Sequence, residues 1–138
     1  MKKFQYLLIG WLLLAAANAF GQSPDEVVER YIAAYNDHNI EAMLELTHPD
    51  VQWLTIDGDR IRVETDGADA LAEAMRSYFE AIPSTRSIIE DMMVSGNRVS
   101  VRERAHWESS GQARSQTALS VYKIADGRIL RVWYFSAD

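Results

Sequence analysis

A glutamate stands where the pattern calls for an apolar residue. Along the stretch Arg98–Ser109 (RVSVRERAHWES), Val99, Val101, Ala105 and Trp107 alternate with Ser100, Arg102, Arg104, His106 and Glu108. A period of two is that of a β-strand with one buried face. Glu103 shares the parity of the valines, so its carboxyl points to the apolar side. There it must find a partner, reach water in a cavity, or hold a proton. Apolar walls raise the pKa of a carboxyl group, which suits a general acid or base near neutral pH. Tyr31, on the inner stripe of the first helical segment, carries a hydroxyl that can donate to a developing oxyanion. Together these two residues are the candidate catalytic pair, suited to proton abstraction beside a carbonyl or to dehydration. The structural alternative is a buried ion pair between Glu103 and Arg114 or another arginine.

The elements that position this pair follow from capping and periodicity. Ser23-Pro24-Asp25-Glu26 opens a helix to about Asp37, with Val27, Val28, Tyr31, Ile32 and Tyr35 on one stripe. Asn39 caps a short second helix over residues 40–46. His48-Pro49-Asp50 reads as a turn, followed by a strand over 51–57 with Val51, Trp53, Thr55 and Asp57 on one face. Asp57-Gly58-Asp59 turns the chain into a short strand over 60–64. A third helix spans 68–82, and Pro83 closes it. Four strands follow, over 85–94, 98–109, 112–124 and 129–135, joined by Ser95-Gly96-Asn97, Ser109-Ser110-Gly111 and Asp126-Gly127. Helices on one side of a long-stranded antiparallel sheet make an α+β domain, and a bent sheet covered in this way leaves a hollow.

Composition narrows the function classes. The 138 residues suit one domain, and 48% of them are apolar. The formal charge is −6 and no basic patch appears, so nucleic acid is not expected as a partner. With no cysteine there is no disulfide scaffold, thiol nucleophile or thiolate metal site. His38, His48 and His106 share no helix face at i, i+4, so neither a metal site nor a cofactor is expected. Lys2 and Lys3, an apolar run over residues 6–17 and Ala17-Asn18-Ala19 read as a signal peptide over residues 1–19, with a second cleavage point after Gly21. A retained membrane anchor is the rival, but the run is short against the roughly 20 residues a span needs. The expected location is periplasmic or secreted, with no membrane contact after cleavage. The expected domain covers residues 23–138.

Four segments carry a resemblance. Residues 27–36 (VVERYIAAYN), then Asn39-Ile40-Glu41-Ala42, Asp50-Val51-Gln52-Trp53 and the closing Arg131-Val132-Trp133-Tyr134, are similar to the SnoaL-like, or nuclear transport factor 2-like, superfamily. The resemblance implies a cone-shaped, curved antiparallel or mixed sheet wrapped by three N-terminal helices. The first helix is particularly similar to that of the ketosteroid isomerases. A gapless match places Tyr31 on that family's oxyanion tyrosine, Thr55 on its aspartate base and Ser120 near its protonated aspartate. Two of the three catalytic groups are thus absent, and the chain is not expected to be a true ketosteroid isomerase.

Parity and the resemblance together give a lining for the hollow: Tyr35, Trp53, Thr55, Asp57, Trp107, Gln116, Ser120, Tyr122 and Tyr134, besides Glu103 and Tyr31. Such an aromatic wall with few polar groups suits a small apolar molecule. The expected activity is cofactor-free isomerase, lyase or cyclase chemistry on a small carbonyl or hydroxyl compound. The alternatives are a binding module without turnover, or an association domain whose cone is filled by its own rings. The charged face of strand 98–109 can carry a homodimer contact through the sheet.

Overall fold

A computed structural model describes residues 21–136, so the leader expected over residues 1–19 lies outside the described residues. Nine elements follow one another: α1 (Pro24–Asn36), α2 (Ile40–Glu45), β1 (Thr47–Asp57), β2 (Arg60–Asp66), α3 (Ala68–Ala81), β3 (Arg86–Ser95), β4 (Arg98–Ser109), β5 (Gln112–Ala125) and β6 (Arg128–Ser136). The strands form one unclosed sheet in the order β2-β1-β6-β5-β4-β3. Only the β1–β6 pairing is parallel. The α+β class with a curved mixed sheet and three helices agrees with the sequence. One detail differs: among the described residues α1 and α2 precede the sheet, and α3 follows β1 and β2.

Two boundaries moved for identifiable reasons. The expected turn at His48-Pro49-Asp50 is the start of β1. Proline has no N–H to donate, and the register with β6 breaks between Thr47 and Gln52, so Pro49 costs the ladder nothing there. The strand expected over 60–64 continues to Asp66. It then reaches Gly67, whose N–H bonds the Val51 carbonyl at 2.7 Å and whose φ of +92° a side chain rarely adopts.

Curvature comes from β-bulges. The β1–β2, β3–β4 and β5–β6 ladders each shift register once, and a bulge bends its strand and tightens the twist. The β4–β5 ladder is unbroken from Arg98↔Lys123 to Ser109↔Gln112. It is the straight spine of the sheet. On the inner face Val51, Val99, Val101, Tyr122, Ile129 and Val132 pack with Val27, Val28, Tyr31, Met43, Leu71 and Phe79 from the helices. Each fully buried side chain of this size contributes roughly 1.5–3 kcal/mol.

The end of α1 is clasped to the edge strand β3. Asn36 Nδ2 donates to the Ser87 carbonyl at 2.8 Å, and Ser87 N–H donates to Asn36 Oδ1 at 2.7 Å. One side chain thus satisfies both backbone groups on the open side of an edge strand. Nearby, the Tyr35 hydroxyl and Thr85 Oγ1 lie 2.8 Å apart. His38 Nε2 donates to the Thr85 carbonyl at 3.1 Å, its ring stacked on Phe79. The clasp fixes where α1 lies over the sheet, and with it Tyr31 and Tyr35. Replacing Asn36 by Ala leaves both Ser87 backbone groups unpaired in a part-buried site, so Asn36→Ala should lower unfolding free energy by about 2–3 kcal/mol. Urea denaturation would show this as a lower midpoint at unchanged slope.

Candidate functional site

Between the inner face of the sheet and helices α1 and α3 lies a cavity of about 470 Å³. That is within the range of small-molecule sites. Its wall is mostly aromatic and aliphatic: Tyr31, Ile32 and Tyr35 from α1, Trp53 and Thr55 from β1, Leu71, Ala74, Met75 and Tyr78 from α3, Ala105 from β4, Ala118 and Tyr122 from β5, and Tyr134 from β6. Two carboxylates belong to it, Glu103 and Glu64. The cone is therefore not filled by its own rings.

Glu103 sits on the spine, opposite Ala118 on one side and Ile89 on the other. Two small neighbours, Ala105 and Ala118, leave its carboxyl open to the cavity. Among the described residues no cation pairs with it, and Arg114 lies out on the rim with its guanidinium on Gln112. Its partner is Tyr122, whose hydroxyl donates to Glu103 Oε1 at 2.5 Å. Burial pushes the Glu103 carboxyl above the usual carboxylate range, while the Tyr122 hydroxyl and then the Ser87 hydroxyl pull it back. A hydrogen bond to a charged group is worth about 1.5–3 kcal/mol, against several kcal/mol for desolvating an ion, so the upward shift wins.

The tyrosines around this carboxyl are kept neutral. Burial raises the Tyr31 hydroxyl far above its ordinary value, and the Glu103 charge adds to that. Burial and then Glu103 act the same way on Tyr122 and Tyr134. They remain donors, not bases, at any physiological pH. The Tyr31 ring meets the Tyr122 ring edge-on, with centroids 6.3 Å apart. Among the described residues its hydroxyl has no hydrogen-bond partner, which leaves it free to donate into the cavity it lines. The residue that hydrogen-bonds Glu103 is thus Tyr122, placed by the sequence only in the wall, while Tyr31 stands next to that pair.

Of the residues expected in the lining, Tyr31, Tyr35, Trp53, Thr55, Glu103, Tyr122 and Tyr134 meet in one cavity, and four do not. Asp57 has the inner parity but ends β1 at the hairpin, exposed and beyond the helices. Trp107 and Gln116 lie toward the far end of the β4–β5 ladder, past the covered part of the sheet, with Gln116 exposed. Ser120 is on the inner face but completely buried, sealed from the cavity between Val101 and Tyr134. Parity states which face a residue occupies, not how far along the strand the cover extends. The additional wall residues Tyr78, Met75 and Leu71 share the α3 stripe that the sequence marks as apolar. Glu64 carries no such signal.

The histidines are dispersed. His38 is held on Phe79, His48 accepts from Asp50 N–H at 3.1 Å, and His106 lies on the outer face between Arg86 and Ser115. No group of three potential metal ligands gathers among the described residues.

The raised Glu103 pKa has a sign. Folding favours the protonated form, so the contribution is fully present below the unfolded value near 4.5 and is lost as pH rises through the folded pKa. Glu103→Gln removes that loss. Thermal unfolding at pH 8 should show the variant with a higher Tm than the parent, the difference vanishing near pH 4.

Comparisons with known proteins agree with this architecture. The SnoaL-like domain pattern matches residues 28–132. No curated protein sequence matches the chain. Among solved structures, a loop-truncation variant of IdmH is 21% identical, with a TM-score of 0.73 over 83% of this chain and 92% of that one. Wild-type IdmH, from Streptomyces antibioticus, is described as a candidate polyketide cyclase. TerC, crystallised with polyporic acid, is 21% identical with a TM-score of 0.70 over 83% and 92% of the two chains. A nuclear transport factor 2-like protein of unknown function from Burkholderia pseudomallei is 19% identical, with a TM-score of 0.71 over 84% and 92%. Identities this low carry the fold alone, whereas the family pattern spans most of the domain: the chain belongs to the SnoaL-like domain family and has its nuclear transport factor 2-like fold.

Proposed function

We propose that the protein takes a small apolar carbonyl or hydroxyl compound into the cavity and catalyses cofactor-free acid–base chemistry of the isomerase, lyase or cyclase type. The observation that carries this reading is a carboxyl group, Glu103, with no cation paired to it among the described residues, open to an apolar cavity and hydrogen-bonded by Tyr122. IdmH, described as a candidate polyketide cyclase, and TerC, crystallised with polyporic acid, support the reaction class without defining a substrate.

For a ketone the steps balance with these groups. Ionised Glu103 takes the proton from the carbon beside the carbonyl. The C–H electron pair becomes the enolate C=C bond, and the carbonyl π pair moves to oxygen. The Tyr31 hydroxyl, which stays protonated, donates to that oxygen. Where a C=C bond adjoins the enolate, Glu103 returns the proton to the far carbon as the carbonyl re-forms, which completes an isomerisation. Where a β-hydroxyl is present, the carbonyl re-forms, a C=C bond forms as the C–O bond breaks, and the Glu103 proton leaves with the hydroxyl as water, which completes a dehydration. Thr55 lines the cavity but supplies no base, and Ser120 is sealed away, so true ketosteroid isomerase chemistry is not part of the proposal.

Proton abstraction can be read without the natural substrate. Incubated with 2-tetralone in D2O, the protein should accelerate exchange of the protons beside the carbonyl, followed by NMR. The rate should rise with pH through the raised Glu103 pKa. Glu103→Gln should lower it by about 100-fold or more. Unchanged exchange in that variant removes Glu103 from the chemistry. Binding of the ketone without exchange favours the alternative, a ligand carrier.

Export and self-association complete the proposal. Secretion through the leader predicts a mature N-terminus at Phe20 or Gln22, readable by intact mass. The outer sheet face exposes Ile61 and Val63 on β2, Leu119 on β5 and Phe135 on β6. These lie on one side of the sheet with Leu54 and Trp133, as the register shows. A homodimer through this face predicts a two-chain mass in sedimentation equilibrium that Leu119→Asp reduces to one.

A further inference from the structure

Glu64 reaches the cavity through a break in β-alternation. In the β1–β2 ladder Trp53 faces Thr65 and Leu54 faces Val63, so Glu64 is the extra residue of a bulge. Strict alternation from Thr65, which is in the wall, would turn Glu64 outward. The bulge turns it inward instead, and it lines the cavity beside Thr55 and Thr65. Bulges of this kind re-aim side chains next to functional sites and give up a ladder pair to do so.

We propose that Glu64 forms a second subsite, at the mouth of the cavity, that accepts a hydrogen bond from a neutral hydroxyl at the end of the ligand remote from Glu103. This rests on the cavity being the ligand site, as proposed above. Glu64 and Glu103 stand on opposite walls. Three strands, β1, β6 and β5, separate β2 from β4. At roughly 4.8 Å per strand the two backbones are about 19 Å apart along the sheet. Curvature shortens that path, and both side chains reach inward. A molecule of two fused rings with an oxygen at each end is the size of probe we propose to bridge them.

The charge state selects the group that Glu64 reads. Arg62 Nε donates to Glu64 Oε1 at 2.6 Å, and the pair is neutral in sum. A cationic ligand end would meet no net charge and would pay to leave water against Trp53 and Tyr134. A neutral hydroxyl meets an ionised acceptor, since Arg62 holds the Glu64 carboxyl below the usual range. Such a charge-assisted bond is stronger than a neutral one, and a carboxylate has acceptor positions beyond the one Arg62 takes. The two carboxyls thus divide the work: Glu103 moves the proton and Glu64 reads the far end.

Three probes of nearly one shape test this in the mature protein by isothermal titration calorimetry: 2-tetralone, 6-hydroxy-2-tetralone and 6-methoxy-2-tetralone. The hydroxyl compound should bind about tenfold tighter than the other two. Glu64→Gln should reduce that ratio to within about twofold, and Glu103→Gln should keep it near tenfold. Equal affinities for the hydroxyl and methoxy compounds in the parent, or a preference that survives Glu64→Gln, overturn the subsite and leave the proposed function standing. Failure of all three compounds to bind the parent overturns the proposed function and the subsite with it.

Discussion

The arrangement depends on one unfavourable placement: a carboxyl group on an apolar wall with no cation among the described residues to neutralise it. Isolated, an ionised carboxylate there would cost several kcal/mol. The protein meets this with a donor, Tyr122, on the adjacent strand. The residual cost shows as the raised Glu103 pKa. Geometry this exacting needs a rigid mount. Glu103 and Tyr122 stand on the two strands of the sheet that pair without a bulge. Bends are left to the ladders on either side.

The same placement governs its neighbours. Burial, and then the charge at Glu103, make Tyr31, Tyr122 and Tyr134 hold their protons more firmly. One residue therefore serves as the titrating group, and the phenols serve as fixed donors. Such a division, in which environment drives like groups apart, is how acid and base roles are assigned in a small site. It also explains why an arginine beside Glu103 would defeat the site. A cation would lower the pKa and leave a carboxylate too weakly basic to take a proton from carbon.

Much of this was legible in the sequence. Alternation, turn residues and caps located the described strands and helices to within a few residues, because most of these elements are amphipathic with one buried face. The exception at β1 arose because Pro49 lies where the ladder is already interrupted. Glu103 was legible as a break in parity, since strand β4 is regular. Glu64 was not, because its orientation is set by a bulge, and a bulge depends on pairing between two strands that neither sequence states alone. Asp57, Trp107 and Gln116 share the inner parity but are not in the cavity wall. Alternation has no term for where a covering helix ends. The Glu103–Tyr122 bond lay beyond sequence too, because Tyr122 opposes Val99 in the ladder, four residues along β5 from the position opposite Glu103.

The strand order decides how the cavity is polarised. In an open sheet the two edge strands meet different surroundings. Edge β3 is closed by the Asn36 clasp and by α1, which puts Tyr31 and Tyr35 over that half of the cavity. Among the described residues edge β2 has no such clasp, and its side chains are largely exposed. Water reaches the cavity more readily from the β2 side, so a permanently ionised pair such as Arg62–Glu64 is tolerated there, where solvent screens it. A titrating carboxyl needs the opposite, a dry wall far from that edge, and β4 supplies it. An asymmetric cover on a symmetric-looking sheet thus separates a wet, charged end from a dry, proton-moving one, and any ligand of this cavity must match that order.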